Sequence, residues 1–196
     1  MNLALRAKGE TSPNPLVGVV IVKGKRIIAE GWHKRCGDDH AEILALRKAG
    51  RAAAGATLYV TLEPCFHFGR TPPCVDAVIK SGIKRVVIGM KDPNPLTAGK
   101  SIAKLHKAGV TVKAGILENE LRRMNEVFVK YITKNMPFVT AKCAQTLDGK
   151  AATAAGDSKW ITGEGTRTFA RNLRNDFDVI LVGVNTVLRD NPALNA

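Results

Sequence analysis

Thr57-Leu58-Tyr59-Val60-Thr61-Leu62, then Glu63-Pro64-Cys65, then an eight-residue loop from Phe66 to Pro73, then Cys74-Val75-Asp76-Ala77-Val78-Ile79-Lys80: this stretch runs from strand through loop to helix. It places one cysteine at the end of a strand and another at the start of the helix that follows. The pattern repeats on either side. Upstream, Leu16–Val22 and Arg26–Gly31 read as two β-rich runs joined by the turn Lys23-Gly24-Lys25, a hairpin signal. Between hairpin and strand, Ala41–Ala49 carries Ile43, Leu44 and Leu46 at helical spacing. Asn2–Lys8 reads as a short helix, and the paired prolines around Asn14 exclude helix or central strand there. Downstream come strand Arg85–Gly89, helix Ser101–Ala108 closed by Gly109, strand Val110–Lys113 and one long amphipathic helix, Glu118–Lys134. Strands alternating with helices predict a mostly parallel α/β sheet covered on both faces, with the hairpin as its antiparallel start. Pro137 breaks the last helix, which sets a boundary between a domain at 1–135 and a second at 137–196. In the second, Phe138–Ala144 and Val179–Gly183 read as strands and Arg167–Asn175 as a helix.

The composition is that of a soluble globular protein: 45% hydrophobic and 24% charged over 196 residues. No apolar run reaches the roughly 18 residues that a membrane helix needs, and Met1–Glu10 lacks a signal-peptide core. A cytoplasmic location is expected, where close cysteines point to metal or catalysis more often than to disulfides. The net charge of +13 suits nucleic acid, an anionic membrane or a phosphorylated small molecule. Lys and Arg are spread evenly along the chain, which favours plain solubility over a nucleic-acid surface.

His40-Ala41-Glu42 opens a helix, and Cys65 and Cys74 flank the loop quoted above. One imidazole and two thiolates match a catalytic zinc site, which takes three protein ligands and leaves a fourth position for water. Zinc lowers the pKa of such a water toward about 7. Glu42 is then free to take the water's proton and hand it to a leaving amine. Taken singly, each residue has an ordinary reading. Cys65 and Cys74 could be a disulfide or inert buried thiols, His40 a plain helix-start histidine, and Glu42 a first-turn acid favoured by the helix dipole. Their occurrence together, in order and with Pro64, matches the H-x-E then P-C-x-x-C signature of zinc deaminases, except that eight residues rather than two part the cysteines. Cys36 and Cys143 have no such partners and read as structural.

The long cysteine loop makes a more specific resemblance. Thr11-Ser12-Pro13-Asn14-Pro15-Leu16-Val17-Gly18, Gly31-Trp32-His33, His40-Ala41-Glu42, Pro64–Cys74, Asp92-Pro93-Asn94-Pro95 and Gly99-Lys100 resemble the bifunctional riboflavin-biosynthesis deaminase/reductase family. The resemblance implies a cytidine-deaminase-like three-layer domain with a mixed sheet. It implies hydrolytic deamination of 2,5-diamino-6-ribosylaminopyrimidinone 5′-phosphate, and self-association. Asn14, His33, His67 and Arg70 are its implied substrate contacts. Asn14 offers a donor and an acceptor to a ring edge, and Arg70 can grip a phosphate bidentately.

After Pro137, Phe138–Gly149, Gly156–Thr162, Leu173-Arg174 and Gly183–Pro192 resemble the start of that family's reductase, which is similar to dihydrofolate reductase and uses NADPH. The resemblance implies NADPH contacts at Ala144, Trp160, Thr186 and Asp190, and substrate contacts at Ser158, Arg174 and Leu194. No Gly-rich dinucleotide fingerprint supports this half independently. The reductase region is shorter than the family's, and two strands and a helix cannot close a sheet. The chain is therefore expected to be a fragment with a working deaminase half and a silent reductase half, and, since its first helix looks short for the family, the true start is expected upstream.

Two rivals are an adenosine deaminase acting on tRNA and a structural zinc module binding nucleic acid. The reductase-like segment argues against the first. Only three protein ligands beside a carboxylate argue against the second, since structural zinc normally takes four.

Overall fold

A computed structural model describes residues 1–68 and 72–195. It divides into two units, Met1–Phe138 and Val139–Ala196.

In the first unit the elements run α1 (Asn2–Leu5), β1 (Gly18–Lys23), β2 (Arg26–Trp32), α2 (Ala41–Ala49), β3 (Thr57–Leu62), α3 (Cys74–Lys80), β4 (Arg85–Met90), α4 (Lys100–Lys107), β5 (Thr111–Ala114), α5 (Glu118–Met124) and α6 (Glu126–Lys134). The strands form one sheet in the order β2-β1-β3-β4-β5. β1 is antiparallel to both β2 and β3, and β3, β4 and β5 are parallel. The sheet is thus mixed, and less parallel than the element order alone predicts, because β1 enters the sheet beside β3 and not at its edge.

Side-chain alternation sorts the two faces. Val19, Ile21, Leu58, Val60, Val86 and Ile88 lie in register across β1, β3 and β4, and all are buried. Gly31 pairs with Val19, and a Cβ on Gly31 would sit 2.4 Å from the Ala41 carbonyl and 2.8 Å from the Ala45 nitrogen. So α2 lies directly on this face, its backbone against the backbone of β2, and α3 packs beside it. The other face carries α1 and α5: a Cβ on Gly18 would meet the Ala4 nitrogen at 2.9 Å, and one on Gly89 would meet Leu121 Cδ1 at 2.0 Å. The result is helix, sheet, helix.

The contact at Gly31 sets the depth of α2, whose first turn carries Glu42. Gly31→Ala should cost about 1–3 kcal/mol, the usual scale of overpacking, because backbone on both sides must give. Chemical denaturation checks this; a loss under about 0.5 kcal/mol would mean that α2 slides freely.

The expected helix Glu118–Lys134 is two helices. Asn125 leaves helical geometry, with φ −111° and ψ 24°. Its side chain, 3% exposed, clasps the backbone of Leu16 from both sides: Leu16 N–H donates to Oδ1 at 2.7 Å, and Nδ2 donates to the Leu16 carbonyl at 3.1 Å. A distant backbone contact overrides the helical periodicity. It also pins the Pro13-Asn14-Pro15 loop to α6.

In the second unit α7 (Glu164–Asn172) and α8 (Val184–Asp190) form, with a 3₁₀ turn at Leu173–Asp176. The strands expected at Phe138–Ala144 and Val179–Gly183 are absent among the described residues. An isolated strand leaves its backbone groups unpaired, and no ladder partner is present here. Val179 and Leu181 are 79% and 93% exposed accordingly. No helix among the described residues is long and apolar enough to cross a membrane.

Candidate metal centre and active-site cavity

Each predicted ligand sits where its element starts or stops. His40 occupies the N-cap of α2 with extended backbone, φ −67° and ψ 157°. Cys65 lies three residues beyond β3, and Cys74 is the first residue of α3. Their ligand atoms all lie within 4.8 Å of one another. His40 Nδ1 is 3.0 Å from Cys74 Sγ and 3.6 Å from Cys65 Sγ. Zinc bonds of about 2.3 Å to sulfur and about 2.0–2.1 Å to nitrogen, set tetrahedrally, put ligand atoms about 3.6 Å apart. The triad therefore fits a zinc ion. Among the described residues all four cysteines are free thiols, so the disulfide alternative falls.

The electrostatics of the bare triad point the same way. A hydrogen bond from the Cys74 thiol, reinforced by His40, pushes Cys65 down to about 4, while the same bond and burial push Cys74 up. Cys65 is the more acidic of the two sulfurs, and its Sγ also accepts the Cys74 backbone N–H at 3.1 Å. The hydrogen bond to Cys65 raises His40. Such a cluster has negative charge to share with a cation.

Glu42, two residues on from His40 in the first turn of α2, is 4% exposed. Burial first, and the neighbouring Cys65 charge second, push its carboxyl up to about 7. A cation at the triad favours the ionised, proton-accepting form.

His40, Glu42 and Cys65 line a cavity of about 420 Å³, with the buried Cys74 sulfur 3.0 Å from His40 Nδ1. Asn14 and His33 line it together, with Asn14 Nδ2 3.0 Å from His33 Nε2. Burial lowers the pKa of His33, and its Nδ1 lies 3.3 Å from the Asp39 carbonyl. A neutral ring donating from Nδ1 leaves Nε2 to accept from the Asn14 amide N–H. His67 also lines the cavity. Arg70 lies outside the described residues. The cavity adds residues to which no role was assigned from sequence: Glu63, Asp92 and Asn94 from one side, Phe128, Tyr131 and Ile132 of α6 from the other, and Cys36 and Asp38 at the 33–39 loop. Cys36 and Cys143 are exposed, not structural core thiols. The α6 wall carried only a helical period, which does not distinguish core from pocket.

The reductase-side residues stand apart from this. Trp160 is 70% exposed beneath the Arg167 guanidinium, and Thr186 and Asp190 lie exposed on α8. Ser158 is exposed and Ala144 half-buried, while Leu194 is 37% exposed. Arg174 donates to the Ala193 and Asn195 carbonyls, each at 2.7 Å.

Residues 1–90 match the cytidine and deoxycytidylate deaminase zinc-binding region, so the class that fold and triad define is the zinc-binding deaminases. Residues 137–196 match the RibD C-terminal domain. Along nearly its whole length the chain is similar to riboflavin-biosynthesis proteins of the RibD type. It is 56% identical over 194 residues to the Aquifex aeolicus riboflavin biosynthesis protein RibD, covering 99% of this chain and 54% of that one. Among solved structures, Acinetobacter baumannii RibD superposes with a TM-score of 0.92 at 47% identity, over 98% of this chain and 54% of that one. A Thermotoga maritima diaminohydroxyphosphoribosylaminopyrimidine deaminase/5-amino-6-(5-phosphoribosylamino)uracil reductase gives a TM-score of 0.91 at 50% identity, over 97% of this chain and 55% of that one. The chain thus spans about half the length of the relatives it matches.

Proposed function

We propose that this chain hydrolyses the exocyclic amine of 2,5-diamino-6-ribosylamino-4(3H)-pyrimidinone 5′-phosphate, giving 5-amino-6-(5-phosphoribosylamino)uracil and ammonia in riboflavin biosynthesis. The observation that carries this is the convergence of His40, Cys65 and Cys74 within 4.8 Å of one another at a cavity that His40, Cys65 and the buried Glu42 line. We assign His40, Cys65 and Cys74 to the metal. Zinc, when bound, supplies the acidity that makes a water nucleophilic near neutral pH. Glu42 takes a proton from the water at its carboxylate oxygen and returns it to the departing amine, so that C–NH2 and water become C=O and ammonia. Asn14 and His33 orient the ring edge, Asn14 accepting from a ring N–H or amine. His67 and Arg70 are assigned to the ribose phosphate. Free thiols accord with a reducing cytoplasm, where we place the enzyme, as a self-associating protein.

For residues 137–196 we propose the opening part of an NADPH-dependent reductase region, with Ala144, Trp160, Thr186 and Asp190 for the nucleotide and Ser158, Arg174 and Leu194 for the sugar. Of these, Ser158, Trp160, Thr186, Asp190 and Leu194 are exposed. The zinc-loaded 196-residue protein should release ammonia from the pyrimidine phosphate, with dCMP and tRNA adenosine as controls. NADPH added with the deaminated product should not be oxidised above the blank. Absence of ammonia from zinc-loaded protein, or a preference for a control substrate, would overturn the deaminase reading.

A further inference from the structure

Glu63 does something that ending a strand does not require. Its N–H still donates to the Met90 carbonyl at 3.0 Å, carrying the β3/β4 pairing one step further. Its side chain, only 2% exposed, turns to the loop that links β4 to α4. There Oε2 accepts the N–H of Asp92 at 3.3 Å and of Gly99 at 3.0 Å, and Oε1 accepts the N–H of Ile102 at 3.4 Å. One carboxylate thus gathers the start of the loop, its end and the first turn of α4. A buried carboxylate is held in place by donors of this kind, and backbone donors cannot be re-aimed by rotamer changes.

The loop so gathered faces the cavity. Asp92 Oδ1 accepts the Asn94 N–H at 2.9 Å, and the Asn94 carbonyl accepts the N–H of Thr97 at 2.9 Å and of Ala98 at 2.8 Å. Thr97, fully buried, reaches His67 Nδ1 with its hydroxyl at 3.3 Å. Asp92, Asn94 and His67 all line the cavity. Glu63 stands two residues before Cys65, so one short segment fixes both a metal ligand and the opposite loop.

We propose that Glu63 is a positioning residue for the substrate: its carboxylate locks the 92–99 loop, and through Asn94 and Thr97–His67 sets the binding side of the cavity against the metal side. The proposal rests on the deaminase reading above. Glu63→Gln places an amide NH2 against donors and loses part of the lock, while leaving shape and the ligands intact.

The expected result for zinc-loaded, folded E63Q is a KM raised roughly tenfold or more with kcat within about threefold of the parent. Hydrogen exchange at the Gly99 and Ile102 amides should accelerate alongside. A helix cap with no role in binding would speed exchange and leave KM alone, and that outcome overturns the proposal. So does a raised KM with exchange unchanged, which would make Glu63 a direct contact. Should E63Q not fold, Thr97→Val carries the test, since it cuts the hydroxyl's links to His67 and to the Asp92 carboxyl; an unchanged KM there sinks the proposal. Failure of the wild-type chain to release ammonia would instead sink the deaminase reading, so the two are separable.

Discussion

Glu42→Gln lowers ammonia release by roughly 10²-fold or more and leaves zinc in place. The size follows from what the side chain is placed to do. Its carboxyl is 4% exposed, beside the triad, and too buried to exchange protons freely with bulk water. Burial pushes its carboxyl up to about 7 in the absence of metal, and a cation at the triad draws it back toward the ionised form that accepts a proton. Glutamine keeps the volume and the helix but cannot carry the proton. Zinc content, read by metal analysis on the same sample, separates this from loss of the ligand set. Full activity in the variant would remove Glu42 from the reaction; loss of zinc with activity would make it a ligand or a support for one.

Much of this site could be read before any coordinates, and the reason is local. His40 and Glu42 share one turn, and Cys65 and Cys74 bracket one loop, so spacing along the chain carries the chemistry. The strands β3 and β4 were legible because their apolar runs face core across the sheet. What could not be read depends on contacts distant in sequence. The break at Asn125 answers a backbone 109 residues away at Leu16. Glu63 acts 36 residues on, at Gly99. Neither leaves a periodic trace. The strands expected at Phe138–Ala144 and Val179–Gly183 had the right composition, but strand formation needs a partner, which composition does not supply.

Cys65→Ala and Cys74→Ala should each strip the metal outright, taking zinc from about one per chain to near none and activity below detection. Three protein ligands are the minimum of a catalytic site, and each cysteine is one of them. The replacement is also asymmetric in its cost to the fold. Cys74 is fully buried, so alanine there leaves a void; Cys65 is partly buried and also accepts the Cys74 N–H, which alanine leaves unpaired. Binding to the folded state alone stabilises it by mass action, so zinc should raise the wild-type Tm and a chelator should lower it. In both variants that response should vanish. The absence of a zinc response is the decisive reading, because a merely weakened fold would melt earlier yet still answer to zinc. Stoichiometric zinc in both variants would refute the ligand assignment. It would also leave Glu42 beside nothing that could make a water reactive.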